Sequence, residues 1–347
     1  TIAGTQAAIV VEGSSVIVNH GTLSTTDGAY ACVYAESGSI DFTNTGQVIG
    51  ASTALNFDIG TGTVCSNSGM IRGAVSFGSV GDTFTMTGGE ITGDIYLNDG
   101  TNRFTLTDGL LRSELTSGDD ADIFRLLGGR ALDDVNAGGG SDQIFIDGFR
   151  TAGTVSGGDG NDTYTIRTAS ADISETSSLT ELQDTVRSFV DWELGNDFEN
   201  LILFGTANLR ATGNDAANGI TGNVGANRID GQGGADRIEG GRGADTILGG
   251  LGADTAGYSS STAGVIVDLL AGTGRGGHAD GDRLVSVENL EGSTHADRLK
   301  GTNGGNILDG GFGSDRLTGA RGRDTFVFNS GYGIDTITDF ADGSERI

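Results

Sequence analysis

Aspartates recur at the sixth place of a nine-residue unit, and this spacing is the strongest chemical signal in the chain. From residue 213 the sequence reads GNDAANGIT, GNVGANRID, GQGGADRIE, GGRGADTIL, GGLGADTAG, and from 292 it reads GSTHADRLK, GTNGGNILD, GGFGSDRLT, GARGRDTFV. If two units make one coil, acids eighteen apart stand over each other: Asp236 over Asp254 and Asp297 over Asp315. Asn218 precedes Asp236 in this series, Asn227 precedes Asp245, and Asn306 precedes Asp324. Carboxylates stacked about 4.8 Å apart repel unless a cation lies between them. A hard ion that takes six to eight oxygens at loose geometry, Ca²⁺, suits such a column better than Mg²⁺ or zinc.

Glycines complete the unit. At its first, second and fourth places they are expected to let the backbone take positive φ and turn with its carbonyls facing one point. The candidate set is Gly231, Gly233, Gly240, Gly241, Gly243, Gly249, Gly250, Gly252, Gly310, Gly311 and Gly313. The eighth place, Ile220, Ile229, Ile238, Ile247, Leu299, Leu308, Leu317 and Phe326, points into a thin core.

A second period, of twenty, organises the N-terminal half. Phe84, Phe104, Phe124, Ile144 and Tyr164 form one column, and Met86, Leu106, Leu126, Ile146 and Ile166 a second, two residues on. Ile95, Leu115, Val135 and Val155 form another. Alternating inward positions repeated at one phase describe a coil of a β-solenoid, hydrogen-bonded to the coils on either side. The segments NTGQVIG (44–50), NSGMIRG (67–73) and TGGEITG (87–93) repeat the pattern at steps of 23 and 20, and HGTLST (20–25) is an earlier, worn copy. An acid or amide column, Asp82, Asn102, Asp122, Asp142 and Asp162, runs two places before the aromatic. Its last members lie in GGGSD and GGDGND, which adds Asp142, Asp162, Gly157, Gly158 and Gly160 to the candidate cation ligands. Asp94, Glu114 and Asp134 form a further acidic column, either another cation ladder or a charged solvent edge, of which the solvent edge is expected.

Composition agrees with stacked coils. Of 347 residues 63 are glycine and none is proline, which would remove a ladder donor from a coil. The net charge of −27, with Lys300 the sole lysine, argues against nucleic acid and anionic membranes as partners. No run of eighteen apolar residues suggests membrane insertion.

The nonapeptide, Gly-Gly-x-Gly-x-Asp-x-apolar-x, resembles that of RTX proteins, the calcium-binding parallel β-roll family. The expected fold is all-β: a parallel β-solenoid (β-helix) of ~20-residue coils continuing into calcium-binding RTX β-roll arrays. The expected organisation is a solenoid at 1–166, a strand-rich connector at 167–212, array 1 at 213–257, an insert at 258–291, array 2 at 292–327 and a cap at 328–347. The connector, the insert and the cap, with its Asp335 and Asp339 pair, resemble the leader, insert and C-terminal region of type I secretion substrates in the same family. The resemblance implies several Ca²⁺ ions and an extracellular or cell-surface location. Charge gives the export logic: unneutralised acids oppose folding in a low-calcium cytosol, and millimolar calcium outside drives it. Cys32 and Cys65 lie at different coil phases, so a disulfide and buried thiols both remain open.

Two functions compete. One is a non-enzymatic surface or matrix subunit, S-layer-like, adhesive or filament-forming, self-assembling head to tail or laterally and touching cell-surface polysaccharide. The other is a polysaccharide-modifying β-helix enzyme with RTX modules, as in alginate epimerases and lyases. Uronate chemistry needs a base, an acid and cations. Residues 1–166 hold one histidine, His20, no lysine and no Asp-Pro-His, and Arg72, Arg103, Arg112, Arg125, Arg130 and Arg150 share no obvious common column. His278 and His295 are expected to be exposed loop residues, and HExxH and GxSxG are absent. The expectation is therefore a structural protein.

Overall fold

The computed structural model describes residues 2–4, 9–26, 31–57, 61–169, 172–175, 183–340 and 346. Parts of the expected connector (170–171, 176–182) and cap (341–345, 347) lie outside the described residues. The chain divides into two compact units, Thr1–Asp184 and Thr185–Ile347. It is a parallel β-solenoid, with coils of eighteen residues in its C-terminal part.

In the first unit each coil carries three short stretches of strand. The first stacks Phe84 on Phe104, Phe124, Ile144 and Tyr164, one coil at a time. The second runs Leu23, Val48, Ile71, Ile91, Leu111 and Ala131, so the worn copy at 20–25 is a true coil segment. The third runs Val33, Leu55, Val75, Ile95, Leu115, Val135 and Val155. Early coils step by 25 and 23 residues and later ones by 20, the step of 23 shortening to 20 where the register shifts between Ile49 and Leu55. These columns are buried, because each inward side chain lies on the same column one coil away and sees no water. Rings stack along the core, Phe42, Phe57, Phe77, Phe84, Phe104 and Phe124, with centroids 5.4 to 5.9 Å apart. Cys65 sits in this core between Phe42 and Phe84, and Cys32 is buried elsewhere; both are free thiols. Burial, with Asp41 and Asp82 adding to it, pushes the Cys65 thiol far up.

In the second unit two strands make a coil of eighteen. One face stacks Val186, Leu201, Ile220, Ile238 and Ala256. The other stacks Trp192, Ala211, Ile229, Ile247 and Leu284. The roll therefore begins at Thr185–Ser188, inside the segment expected to be a connector and before the first nonapeptide. Within the insert, Ile266–Asp268, Thr273–Arg275 and Arg283–Val285 pair antiparallel in series. That reversal joins the faces of the two arrays, since Leu284 lies under Ile247 while Val267 lies above Leu299. Leu290 likewise carries the opposite face from Ala256 to Leu308. The Glu-Asn-Leu corners at 199–201 and 288–290 supply these inward leucines.

Candidate calcium centres

The column aspartates do not point into solvent. Asp82, Asp122, Asp142, Asp162, Asp236, Asp245, Asp254, Asp297, Asp315 and Asp324 are all buried. Each carboxylate takes the backbone N–H of the equivalent residue one coil earlier. Asn218 N–H donates to Asp236 at 2.8 Å and Asp236 N–H to Asp254 at 2.9 Å. Asn227 N–H donates to Asp245 at 2.7 Å, Asp297 to Asp315 at 2.8 Å and Asn306 to Asp324 at 2.9 Å. The first unit repeats the device: Asp82 donates to Asn102, Asn102 to Asp122, Asp122 to Asp142 and Asp142 to Asp162.

One carboxylate oxygen is thus spent on the ladder and, except in Asp297, whose Oδ2 accepts the Ser293 N–H at 2.6 Å, the other is left over in the residues that follow. The Oδ2 atoms of Asp82, Asp122, Asp142, Asp162, Asp236, Asp245, Asp254 and Asp315 are buried without a hydrogen-bond partner. An ionised oxygen in that position is costly unless a cation or a proton meets it. Burial, the largest cause in each case, pushes Asp236, Asp245 and Asp315 up to about 7, and Asp142 to about 8.

The first-place glycines show where such a cation fits, and they correct the expected reason for glycine. Gly157, Gly231, Gly240, Gly249 and Gly310 do not have positive φ. What they supply is room. A Cβ on Gly240 would lie 2.6 Å from Asp245 Oδ2, and one on Gly310 would lie 2.5 Å from Asp315 Oδ2. A Cβ on Gly231 would collide both with Asp236 Oδ2 and, at 2.5 Å, with the carbonyl oxygen of Gly249 one coil on. A carboxylate oxygen and a carbonyl oxygen therefore face the same small space, the donor set that Ca²⁺ takes. Positive φ belongs to the second place (Gly241 87°, Gly250 115°, Gly311 76°, Gly158 98°) and to the fourth (Gly243 122°, Gly252 141°, Gly313 145°, Gly160 145°). Gly233, at a third place, has neither feature; a Cβ there would sit 3.2 Å from Asp215 Oδ1.

A family model of the RTX calcium-binding nonapeptide repeat matches in four copies, over residues 221–256 and 291–326. The chain carries RTX repeats and binds calcium through them. A comparison with curated proteins found no match. The repeats being several, so are the ions.

The RTX ladders contain more members than the nonapeptide register predicts. Asp245 N–H donates at 2.8 Å to Asp282, thirty-seven residues on, and Asp254 N–H donates at 3.0 Å to Glu288, thirty-four on. Both acids lie in the insert, which hides the step of eighteen. Asp315 N–H donates to Asp335 at 2.9 Å, and Asp339 accepts the N–H groups of Gly319 and Ala320 at 3.1 and 2.8 Å. The three asparagines differ from the aspartates, because protein groups satisfy their amides. Asn218, Asn227 and Asn306 Oδ1 each accept a backbone N–H from four residues earlier, at 2.8 Å. Their Nδ2 groups donate to Phe198 O, Asn223 Oδ1 and Glu288 O.

Outside the arrays, Asn19 Nδ2 donates to Asn44 Oδ1 at 2.8 Å and Asn44 Nδ2 to Asn67 Oδ1 at 2.7 Å, an amide ladder in the early coils. The acidic column Asp94, Glu114 and Asp134 lies at the surface, where Asp94 accepts the Tyr96 hydroxyl and Asp134 the Thr154 N–H. His20 and His295 are exposed. His278 departs from expectation: it is half-buried, with Nδ1 3.3 Å from Ser260 Oγ and its pKa lowered, mainly by burial.

Proposed function

We propose that the chain is a secreted, non-enzymatic structural subunit of the cell surface or extracellular matrix, exported by type I secretion and folded by external calcium. The observation that carries this reading is the leftover carboxylate oxygen at coil after coil. Without cations these charges work against the coil that buries them, so the exported chain stays extended until it meets millimolar calcium. The ladder aspartates are committed to backbone N–H groups in the interior. That is a structural use of carboxylate, different from the exposed acid and base that polysaccharide chemistry requires.

Assembly is part of the proposal. A solenoid ends in unpaired strand edges, which pair with a second copy unless capped, and head-to-tail pairing yields a filament. The test is a calcium titration with EGTA reversal, followed by far-UV circular dichroism and by electron microscopy of the same sample. A coil-to-β transition that yields filaments or sheets supports the reading. Monodisperse monomers in calcium, by light scattering, reject the assembly role and return uronate polymers as the first ligands to assay.

A further inference from the structure

The ladder of the first unit ends on a rung with extra chemistry. Asp142 N–H donates to Asp162 Oδ1 and Asp162 N–H to Asp184 Oδ1, each at 2.7 Å. Beside this pair Glu175 turns inward. Its Oε2 accepts the Gly158 N–H at 3.0 Å, and its Oε1 accepts the hydroxyl of Tyr164, which itself accepts the Gly157 N–H. Two hydrogen bonds from the glycine turn therefore hold Glu175, one of them through the phenol.

Asp162, Glu175 and Asp184 are all buried, at 1%, 5% and 1% exposure. One carboxylate oxygen from each lies within 4.8 Å of the others. Two oxygens bound at about 2.4 Å to the same ion are at most about 4.8 Å apart, and all three pairs here meet that condition. Asp162 Oδ2 is buried there with no hydrogen-bond partner. The charges of Asp184 and Asp162 both bear unfavourably on Glu175, which burial already pushes up to about 8. An all-oxygen, triply acidic set takes a hard divalent cation in preference to zinc, whose structural sites draw on nitrogen and sulfur.

We propose that Asp162, Glu175 and Asp184 form a calcium site in the first unit, outside the nonapeptide arrays. Its acids follow one another at 13 and then 9 residues instead of 18, and the family match begins only at residue 221. Tyr164 is a positioning residue, fixing Glu175 Oε1. The site goes beyond the array reading and stands or falls separately from it.

The experiment counts calcium per chain by equilibrium dialysis and atomic emission in the full-length protein. A Glu175→Gln/Asp184→Asn variant that keeps its β circular dichroism should bind one ion fewer than the parent. Equal counts overturn the proposal. Asp315→Asn reads the arrays separately, since its count depends on them alone. If the double variant does not fold, terbium replaces calcium and Tyr164→Phe is used instead. The phenol touches a ligand, so tyrosine-sensitised terbium emission should fall in that variant, and unchanged emission overturns the proposal.

Discussion

Asp254 Oδ1 accepts the backbone N–H of Asp236 at 2.9 Å, one coil earlier, while its Oδ2 lies buried without a partner. The same side chain thus carries two functions: it pairs a backbone donor that the turn would orphan, and it presents half a charge pair to a cation. The first function couples adjacent coils whether or not calcium is bound. The second makes the coupling favourable only once the charge is met.

Removing one such residue should cost both functions. In Asp245→Ala the Asn227 N–H loses its acceptor and one cation loses a ligand. An unpaired buried donor alone costs about 1–3 kcal/mol, which is roughly 5- to 150-fold in an equilibrium constant. The calcium midpoint for folding, followed by circular dichroism, should rise at least several-fold. An unchanged midpoint would remove Asp245 from the ladder.

First-place and second-place glycines should respond differently to alanine. Gln232 and Ala320 already occupy second places with φ of 71°, so side chains are tolerated there at modest strain. In Gly241→Ala the methyl would also stand 2.4 Å from the backbone carbonyl oxygen of Asn223, so that variant should cost more than the about 1 kcal/mol of a left-handed L-residue alone. In Gly240→Ala the new methyl would stand 2.6 Å from Asp245 Oδ2, in the space that the cation needs. That variant should lose bound calcium in dialysis, whereas Gly241→Ala should retain it. Equal ion counts in the two would show that room is not what the first place supplies.

Disrupting the insert provides a third comparison. Asp282 ends the ladder below Asp245, and its second oxygen accepts the Tyr258 hydroxyl at 3.2 Å. Burial pushes Asp282 up to about 6. Asp282→Ala should raise the calcium midpoint in the same direction as Asp245→Ala, and the double variant should fall short of the sum, because the two share one rung. Strict additivity, measured by the same titration, would separate the insert from the array.

The columns from Phe84 to Tyr164 and from Ile220 to Ile247 were legible because a solenoid repeats the same environment at a fixed step, so the period prints directly on residue type. The ladder of Asn19, Asn44 and Asn67 was hidden by steps of 25 and 23, which the looser early coils absorb. Asp282 and Glu288 were hidden for the same reason, the insert having displaced them from the register of eighteen. First-place glycine was misread on different grounds. A need for positive φ and a need for an empty Cβ position select the same residue, and only the carboxylate lying across Gly231 and Gly240 tells them apart. Glu175 carried no periodic signal at all, because its partners come from a turn and a later rung.

Asn102 suggests how to separate protons from calcium. It occupies a rung between Asp82 and Asp122, accepts the Asp82 N–H at 2.9 Å, and donates through Nδ2 to Asn98 O at 2.8 Å and Ser117 Oγ at 3.2 Å. An amide therefore does the ladder's work with no leftover charge. Asp82 and Asp122, by contrast, are pushed by burial up to about 6. The unfolded value is about 3.9, so between about pH 4 and pH 6 the folded state holds more protons than the unfolded one, and stability must fall as pH rises through that window. Below it the penalty is absent, and above it the penalty is complete. Asp122→Asn should accordingly be more stable than the parent at pH 7.5 in the lowest calcium concentration that folds both, by about 1 kcal/mol, and indistinguishable from it near pH 4. Urea unfolding of the two proteins at both values measures this directly. A stabilisation that persists unchanged at pH 4 would mean that the amide improves packing, and that the buried charge at this rung costs nothing.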